Sequence, residues 1–379
     1  MKYPILISIV GLALAACGEG PKDPETIARE NEAFLVEPQY ESIDQALQET
    51  RTILQPNSYL YNDFIGKELN ATPNAPLETL KVGLSWIAND QFSAYYVASA
   101  KGFFQEAGFA VELLPGGPGK NPLGLLVAGQ LDFVSSSNGS AVIRMQHSPN
   151  GGDLVAVGAL LRRYPYAWIG LDNSVNSDTP SNRPITADDL RGRKMGAEPG
   201  SEFLAAYTLE KLGLSPSDVI FTRTSTQIEP LLEGAFDYMT CWVDNMPRML
   251  DAMGHKNWFL WEFEDNGWAD YGNVVVTTRQ MVEDHPRKIE RYLWALTRAV
   301  EYIISSPEAS AQIVLDAMEG TNLNLDLIRS RLAYQKELST PIKGNPFFHI
   351  DPDKWDRSAA LLLYYGVIEN RPPFSQVSM

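Results

Sequence analysis

From residue 79 onward the chain alternates between buried strands and helices, and this alternation limits the folds it can adopt. The apolar run LKVGLSW is typical of a buried strand, SAYYVASAKGFFQEAG of a helix that ends at Gly108, and FAVELLPGG of a second strand that enters a glycine-rich loop. A short helix, PLGLLVAGQ, then leads into a third strand, LDFVSSS. Strands that alternate with helices build a mostly parallel sheet, so the sequence predicts an α/β fold.

The pattern resumes further along the chain and predicts a second lobe. The runs LVAVGALL, YAWIGLD, VIFTRTS and NVVVTT are typical of strands, and a long helix follows with Ile289, Tyr292, Leu296 and Val300 on one face. Single hydrophobic cores stop growing at about 250–300 residues, which a chain of 379 residues exceeds. We therefore expect two α/β lobes, with residues 78–165 plus 275–379 in lobe 1 and residues 166–274 in lobe 2.

The amino terminus predicts export and a lipid anchor. Lys2 precedes an apolar run of about ten residues, which is too short to cross a bilayer but fits a signal peptide over residues 1–16. The sequence Leu-Ala-Ala-Cys, which ends at Cys17, resembles the lipobox of bacterial lipoproteins and implies a lipid on Cys17. The alternative is an ordinary signal peptide with an incidental cysteine. Residues 17–77 are expected to form a tether and extension, and Gly18 favours the outer membrane if the host is Gram-negative.

Charge and the reactive residue types exclude several functions. A formal charge of −16 disfavours nucleic acid as a partner, because the phosphates would be repelled. With Cys17 lipidated, Cys241 has no partner for an intrachain disulfide and is expected to be a small buried residue. The four histidines show no metal spacing, and no nucleophile motif is present. We predict no metal, no cofactor and no catalysis.

Polar and aromatic residues gather in the loops that follow the predicted strands, where sites form in parallel sheets. Trp86 and Phe92 are predicted to stack on a planar ligand, whereas Tyr95, Tyr96, Phe103 and Phe104 are expected in the core. The loop PGGPGKN fails the spacing of a phosphate-binding loop, so its glycines serve either a close ligand approach or a simple turn. Ser136 to Asn138 either present donors to a ligand or cap a helix.

The order of these motifs resembles a known family. Trp after the first strand, KGFFQEAG, VEL, NPL, LVAGQLDF, VAVGALL, DLRGRKMGA and PGSEF follow each other as in periplasmic solute-binding proteins of ABC importers. More narrowly, the chain resembles binders of thiamine pyrimidine precursors, with alkanesulfonate and taurine binders as relatives, over about Thr79 to Ser305. The resemblance implies a two-lobe type II periplasmic-binding fold with hinge strands, which closes on a small ligand and docks on a permease.

The resemblance also implies a set of ligand-binding residues, some of which lie in the first lobe and others in the second. They are Trp86, Asn89, Asp90, Gln91, Phe92, Gly117, Asn121, Ser136, Ser137, Asn138, Glu198, Ser201, Glu202, Trp242, Asp244, Asn245, Asp270 and Tyr271. Pyrimidine binders commonly carry a carboxylate three residues after the second tryptophan. Here Asn245 holds that position and Asp244 precedes it, and an amide both donates and accepts where a carboxylate accepts.

The sequence therefore predicts a monomeric lipoprotein that captures a small planar nitrogen heterocycle, such as a thiamine pyrimidine precursor, and delivers it to an ABC importer permease. One alternative is a binder of a sulfonate, taurine, nitrate or similar organic anion. Another is a ligand-sensing or structural lipoprotein. A pyrimidine synthase, distantly similar in fold, is disfavoured because the histidine of its ligand loop and its cysteine cluster are missing here.

Overall fold

The computed structural model describes residues 24–31, 37–53, 76–149, 151, 153–172, 184–318, 323–342 and 344–369. The predicted signal peptide, Cys17 and most of the tether lie outside these residues. No helix in the described ranges is both long enough and apolar enough to cross a membrane.

The first sheet has five strands in the order β2-β1-β3-β10-β4. Its first three strands are parallel, whereas the returning strand β10 is antiparallel to both of its neighbours. All eight residues of β4 are buried, which explains why its sequence is a continuous apolar run. The strands are β1 (Glu78–Leu84), β2 (Phe109–Leu114), β3 (Phe133–Asn138), β4 (Leu154–Leu161) and β10 (Gly272–Thr278).

The second sheet also has five strands, in the order β7-β6-β8-β5-β9. Strand β6 is parallel to β7 and β8, and β5 is antiparallel to β8 and β9. The strands are β5 (Tyr166–Leu171), β6 (Lys194–Ala197), β7 (Ile220–Arg223), β8 (Tyr238–Trp242) and β9 (Trp258–Glu262). The chain enters this sheet through residues 162–165 and leaves it through residues 263–271. Because β10 belongs wholly to the first sheet, the return ends before residue 272 rather than at the predicted boundary of 275.

Helices cover both sheets and complete the two-lobe α/β architecture that the sequence predicts. In the first lobe they are α3 (Ser93–Ala100), α4 (Phe103–Glu106), α5 (Pro122–Val127) and α6 (Gly139–Gln146), and in the second α7 (Ala187–Leu190), α8 (Glu202–Leu212), α9 (Glu229–Leu232) and α10 (Met246–Ala252). After the return come α11 (Arg279–Asp284), α12 (Pro286–Ser305), α13 (Pro307–Ala317), α14 (Leu325–Ser339) and α15 (Pro352–Tyr364).

The aromatic residues of α3 and α4 form part of the core of the first lobe, as expected. Tyr95 and Phe104 are almost completely buried. The ring of Tyr292 on α12 stacks on Phe133 of β3 at 4.0 Å between centroids, and on Phe104 at 5.7 Å. Rings at such separations add about 0.5–1.5 kcal/mol per pair beyond the burial of their area. These rings therefore hold the helices on the sheet.

Two helices precede the first sheet and pack on the rest of the protein. The helix α1 (Pro24–Asn31) lies against β7 of the second lobe, and α2 (Ile43–Ile53) packs on α15. The buried amide of Asn31 donates to the carbonyls of Pro216 and Val219, and accepts from the backbone N–H of Phe221 at 3.0 Å. One side chain thus satisfies three backbone groups beside an edge strand.

We expect Asn31→Ala to lower the free energy of unfolding by about 1–2 kcal/mol, because it leaves buried backbone groups at β7 without partners. Urea unfolding of the full chain measures the change. Arg29→Ala is the matched control on the exposed side of the same helix, and should change the stability by less than about 0.5 kcal/mol. Equal effects of the two substitutions would show that Asn31 does not anchor α1.

Candidate functional site

The loop after β1 is held by its own polar residues. The Asn89 side chain caps the 3-10 turn Asp90–Phe92 by accepting from the N–H of Gln91 at 2.9 Å. The Gln91 amide donates to Oδ1 of Asn273 at 2.6 Å, and Asn273 donates back to the Gln91 carbonyl at 3.1 Å. Asn273 lies in β10 with φ of 46°, a conformation that asparagine tolerates better than most residues. These bonds fix the loop against the returning strand.

The two aromatic residues predicted in this loop have different environments. Trp86 is half-buried, and its carbonyl accepts from the N–H of Gly116 in the neighbouring loop at 2.9 Å. Phe92 has no exposed surface and packs edge-on against Tyr95 with 6.4 Å between ring centroids. The 3-10 turn thus directs the ring of Phe92 into the core, and the stacking of this ring on a ligand stays a prediction. Trp86 remains in the candidate set.

The loops after β2 and β3 are shaped by turns and helix caps. A Cβ on Gly116 would lie 2.4 Å from the carbonyl oxygen of Leu84, so glycine there allows two loops to pack closely. Gly117 follows with φ of 139°. Asn121 caps α5 through the N–H of Gly124 at 3.0 Å, and Asn138 caps α6 through the N–H of Ala141 at 2.7 Å. The side-chain oxygen of each asparagine thus accepts a capping hydrogen bond.

The serines at the end of β3 are less open than a ligand site requires. Ser136 is buried and its hydroxyl donates to the Asn138 carbonyl at 3.1 Å. Ser137 is half-buried. Of this group, Ser137 and the amide nitrogen of Asn138 are the better candidates to meet a ligand.

Asp270 joins the start of α6 to the return crossover. Its carboxylate is fully buried and accepts from the backbone N–H of Ser140, from the Ser140 hydroxyl and from the N–H of Tyr271 at 2.7 Å. Burial raises the pKa of Asp270 to about 6, against the opposing effect of these donors. Tyr271 is buried as well and hydrogen-bonds to Asp351. Both residues therefore hold the junction between lobes rather than present an open surface.

The loop after β6 carries the acidic residue that best fits a ligand contact. Glu198 is half-buried, and burial raises the pKa of its carboxyl group to about 7 although a hydrogen bond with Tyr166 lowers it. Ser201 is buried and donates to the Glu198 carbonyl at 2.6 Å. Glu202 accepts from Gly200 at 2.7 Å and from Arg223 at 3.0 Å. Ser201 and Glu202 therefore shape the loop, and Glu198 keeps the freer carboxyl group.

Trp242 and Glu198 both lie beside Tyr166. Tyr166 of β5 is directly opposite Trp242 of β8 in an antiparallel pair, and opposite residues project from the same face of a sheet. Trp242 is half-buried at the carboxyl end of its strand. Tyr166 also stacks on Tyr164 with 5.7 Å between ring centroids. An aromatic surface and a carboxyl group with a raised pKa thus occur together at one end of the second sheet.

A buried polar network joins the loops that follow β1 and β8. Arg331 of α14 donates to Oδ1 of Asp90 at 2.7 Å and to Oδ1 of Asn245 at 2.6 Å. Gln335, one helical turn further, donates to Oδ2 of Asp244 at 2.9 Å. The side chains of Arg331 and Asp90 are 6% and 5% exposed. Burial raises the pKa of Asp90, which the charge of Arg331 opposes, and burial with the nearby Asp90 charge raises the pKa of Asp244 to about 6.

The cations around these loops already have partners. Arg144 donates to the Gly200 carbonyl of the other lobe at 3.0 Å, and Arg163 donates to Asp265. Lys120 donates to the Pro115 carbonyl at 2.9 Å, and Lys354 pairs with Glu264 at 2.8 Å. The described residues contain no group of His, Cys, Asp and Glu that would hold a metal ion.

Several residues of the site were missed by sequence reasoning, and they are Ser140, Tyr166, Asn273, Arg331 and Gln335. Each lies in a strand or a helix. The sequence pattern of such an element indicates which of its residues are buried, but it does not identify a hydrogen-bond partner that is far away along the chain. For Arg331 the signal available was a cationic residue on a helix with Ile328 and Leu332 buried on either side. That signal shows burial of the helix face but gives no partner.

Two known proteins are similar in sequence to most of this chain. The chain is 26% identical over 312 residues to a protein of Haemophilus influenzae named as a thiamine biosynthesis protein, covering 81% of this chain and 94% of that protein. It is 25% identical over 282 residues to the riboflavin-binding protein RibY of Chloroflexus aurantiacus, covering 71% of this chain and 74% of that protein.

Solved structures share the fold at lower identity. The periplasmic aliphatic sulphonate binding protein SsuA of Escherichia coli superposes with a TM-score of 0.59 and 18% identity, covering 80% of this chain and 97% of SsuA. The desulfurization enzyme DSZB superposes with a TM-score of 0.52 and 17% identity, covering 79% of this chain and 95% of DSZB. These likenesses confirm the periplasmic-binding-protein fold.

Residues 89–310 match the family described as NMT1/THI5 like. The match begins in the loop after β1 and ends in α13, so it includes most of both sheets, and it contains Glu198 and Trp242 of the second lobe but not Trp86 of the first. Because it spans more than half of the chain, the protein belongs to the NMT1/THI5-like family.

Proposed function

We propose that the protein is an extracytoplasmic solute-binding protein of an ABC importer, and that its ligand is a small planar nitrogen heterocycle bound between the two lobes. The observation that carries the proposal is the chemistry at the carboxyl ends of the strands. Trp86 and Trp242 come from different lobes and are half-buried, and Glu198 brings a carboxyl group beside Tyr166. Rings bind a flat ligand by stacking, and the carboxyl group accepts from its N–H groups.

The distribution of charge favours such a ligand over an anion. Glu198, Asp244 and Asp270 place three carboxyl groups with raised pKa values around the junction of the lobes. Two of the nearby cations, Arg163 and Lys354, are paired with carboxylates. An anionic ligand would therefore meet repulsion in the site and a net charge of −16 at longer range.

The relatives support the same class of ligand. One is named for thiamine biosynthesis and another binds riboflavin, and the thiamine pyrimidine and the flavin ring are both planar nitrogen heterocycles. We propose delivery of this ligand to a membrane permease, a monomeric state, and attachment to the periplasmic side of a bacterial membrane through a lipid on Cys17. The outer membrane is favoured for a Gram-negative host.

Binding is a better proposal than catalysis for this chain. The fold alone does not decide the matter, because it also serves the enzyme DSZB. Cys241, the cysteine in the described part of the chain, is buried. Burial disfavours the charged thiolate and therefore raises the pKa of the Cys241 thiol well above its usual value. A thiol in that environment is a poor nucleophile.

A second candidate ligand is a sulfonate or similar organic anion. Arg144 favours it, because its Nε is buried without a hydrogen-bond partner among the described residues, although Nη1 donates to Gly200. The fold shared with SsuA is compatible with it. In this case the guanidinium of Arg144, and not the tryptophans, would dominate binding.

A thermal-shift panel of pyrimidines, flavins, taurine, alkanesulfonates and nitrate tests both candidates. A ligand at ~100 times its Kd stabilises by ~2.7 kcal/mol, enough to raise the Tm by a few degrees. We expect a planar heterocycle to produce the shift. A shift with sulfonates alone that is lost in Arg144→Gln would establish the second candidate, and no shift with any compound would contradict both.

The contribution of Trp242 is tested with the ligand that the panel identifies. We expect Trp242→Ala to weaken binding by about ten- to a hundredfold, since a lost ring costs about 1–3 kcal/mol of stacking and burial. Isothermal titration calorimetry gives the Kd. Trp294→Ala is a control on α12, away from the strand ends, and should leave the Kd unchanged. An unchanged Kd in Trp242→Ala would remove this ring from the site.

A further inference from the structure

The helix α14 contacts both lobes. It packs on α12, α13 and β4, which belong to the first lobe, and on α10 of the second. It also lies outside residues 89–310, the segment that matches the family.

Its polar contacts divide into two groups. Arg331 pairs with Asp90, and Gln335 donates to the Asp90 carbonyl at 3.3 Å, so these bonds stay within the first lobe. Arg331 also donates to Asn245, and Gln335 to Asp244, so these two bonds reach the second lobe. A separation of the lobes would break the second group and leave the first intact.

We propose that Arg331 and Gln335 form a latch that holds the lobes closed by binding Asp244 and Asn245, and that closing the latch takes up a proton. The α14 latch is the set Asp90, Asp244, Asn245, Arg331 and Gln335. The inference rests on the proposed binding function, since it describes how the same site closes. Arg331 and Gln335 are positioning residues, because they act through the two loops to which they donate hydrogen bonds.

The charges of the α14 latch do not balance when both carboxyl groups are ionised. One guanidinium serves two buried carboxylates, Asp90 and Asp244. Oδ2 of Asp90 and Oδ1 of Asp244 are buried without hydrogen-bond partners among the described residues. A buried carboxylate with an unpaired oxygen is costly, and a proton on Asp244 removes the excess negative charge.

The surroundings of Asp244 make it the group that titrates. Asp90 and Arg331 face it with opposite charges, Gln335 donates to it, and the buried thiol of Cys241 lies near on β8. Tyr96 of α3 lies beside Asp90. In the closed protein burial raises the pKa of Asp244 to about 6, whereas water around an opened loop would return it toward its usual value near 3.8.

The direction of the effect follows from these two states. A group whose pKa is higher in the closed state than in the open state binds a proton on closing. The closed state therefore becomes more stable relative to the open state as the pH falls through about 6. Between about pH 7.5 and about pH 5 the closing equilibrium should shift by roughly tenfold toward the closed state.

Distances between spin labels test this without any ligand, so failure of the ligand proposal and failure of the latch are distinguishable. The labels are placed at Leu125 on α5 and Met253 after α10, which are 40% and 52% exposed and lie in different lobes. The full chain carries Cys17→Ser, and Cys241 is buried. We expect a larger short-distance population at about pH 5 than at about pH 7.5, by the roughly tenfold shift in equilibrium.

Three variants assign the effect. Asp244→Asn imitates the protonated side chain, keeps an acceptor for Gln335, and should remain closed at both pH values. Gln335→Met should reduce the closed population at both. Glu233→Gln makes the same charge change at an exposed site of the second lobe and should behave as the wild type. Distances that do not respond to pH, or that Gln335→Met leaves unchanged, would overturn the proposal, as would a full pH response in Asp244→Asn.

Discussion

Replacing Arg331 with glutamine is expected to lower the free energy of unfolding by about 3–5 kcal/mol. The guanidinium is buried and donates to Asp90 at 2.7 Å and to Asn245 at 2.6 Å. Its removal leaves the Asp90 carboxylate buried without a counter-charge, and this uncompensated charge supplies most of the cost. Urea denaturation followed by circular dichroism measures the change.

The matched control is Arg329→Gln, the same charge change on the same helix. Arg329 is 40% exposed and pairs on the surface with Glu308 and with Asp326, so its loss should cost less than about 1 kcal/mol. The double variant Asp90→Asn with Arg331→Gln should regain part of the stability, because it removes both buried charges. If Arg331→Gln costs no more than Arg329→Gln, the ion pair does not stabilise the closed arrangement.

The distance between these partners along the chain explains why sequence reasoning missed them. Arg331 and Asp90 are separated by 241 residues, and Gln335 and Asp244 by 91. Periodicity reports which face of a helix is buried but not which polar group it meets. The resemblance implied that Asp90, Asp244 and Asn245 bind the ligand, and the structure shows that the side chain of each accepts a hydrogen bond from α14.

Local signals were better predictors. The strands β1 to β3 and the buried rings of α3 and α4 follow from apolar runs and helical spacing, which depend on neighbours within one element. The interpretation of Asn138 as a helix cap also depended only on neighbouring residues, and the structure contains the capping hydrogen bond from the N–H of Ala141. The burial of Phe92 could not be predicted, because a 3-10 turn of three residues directs its ring to the core and such a turn has no strong sequence pattern.

The two-lobe fold could be predicted because each lobe repeats the pattern of alternating strands and helices. The strand β9 was not predicted. Its sequence, WFLWE, contains two tryptophans and a glutamate and has no clear alternation. It pairs with β5 over five residues, and this pairing completes the second sheet. Tertiary pairing, rather than propensity, makes this segment a strand.

The protein is expected to be more stable at about pH 5 than at about pH 7.5, by roughly 3 kcal/mol. Burial raises the pKa of Glu198 to about 7 and those of Asp244 and Asp270 to about 6. Unfolded Asp and Glu have pKa values of about 4. Each group therefore binds a proton more readily in the folded protein than in the unfolded chain.

The sign follows from this difference. The stability that each group contributes is complete below the unfolded pKa of about 4 and is lost as the pH rises through the folded value. Over this range each aspartate contributes about 1 kcal/mol, and half-buried Glu198 contributes less than its shift implies because solvent screens it. Asp218, whose pKa is lowered by hydrogen bonds from Ser215, titrates below the range and does not oppose the trend.

Unfolding free energies of the ligand-free protein at the two pH values measure the effect, and Asp270→Asn assigns it. The asparagine still accepts from the N–H groups of Ser140 and Tyr271 but cannot ionise, so the difference between the two pH values should shrink by about 1 kcal/mol. Glu233→Gln, an exposed carboxyl group, should leave the difference unchanged. A protein that is more stable at about pH 7.5 would show that buried carboxyl groups do not dominate its pH dependence.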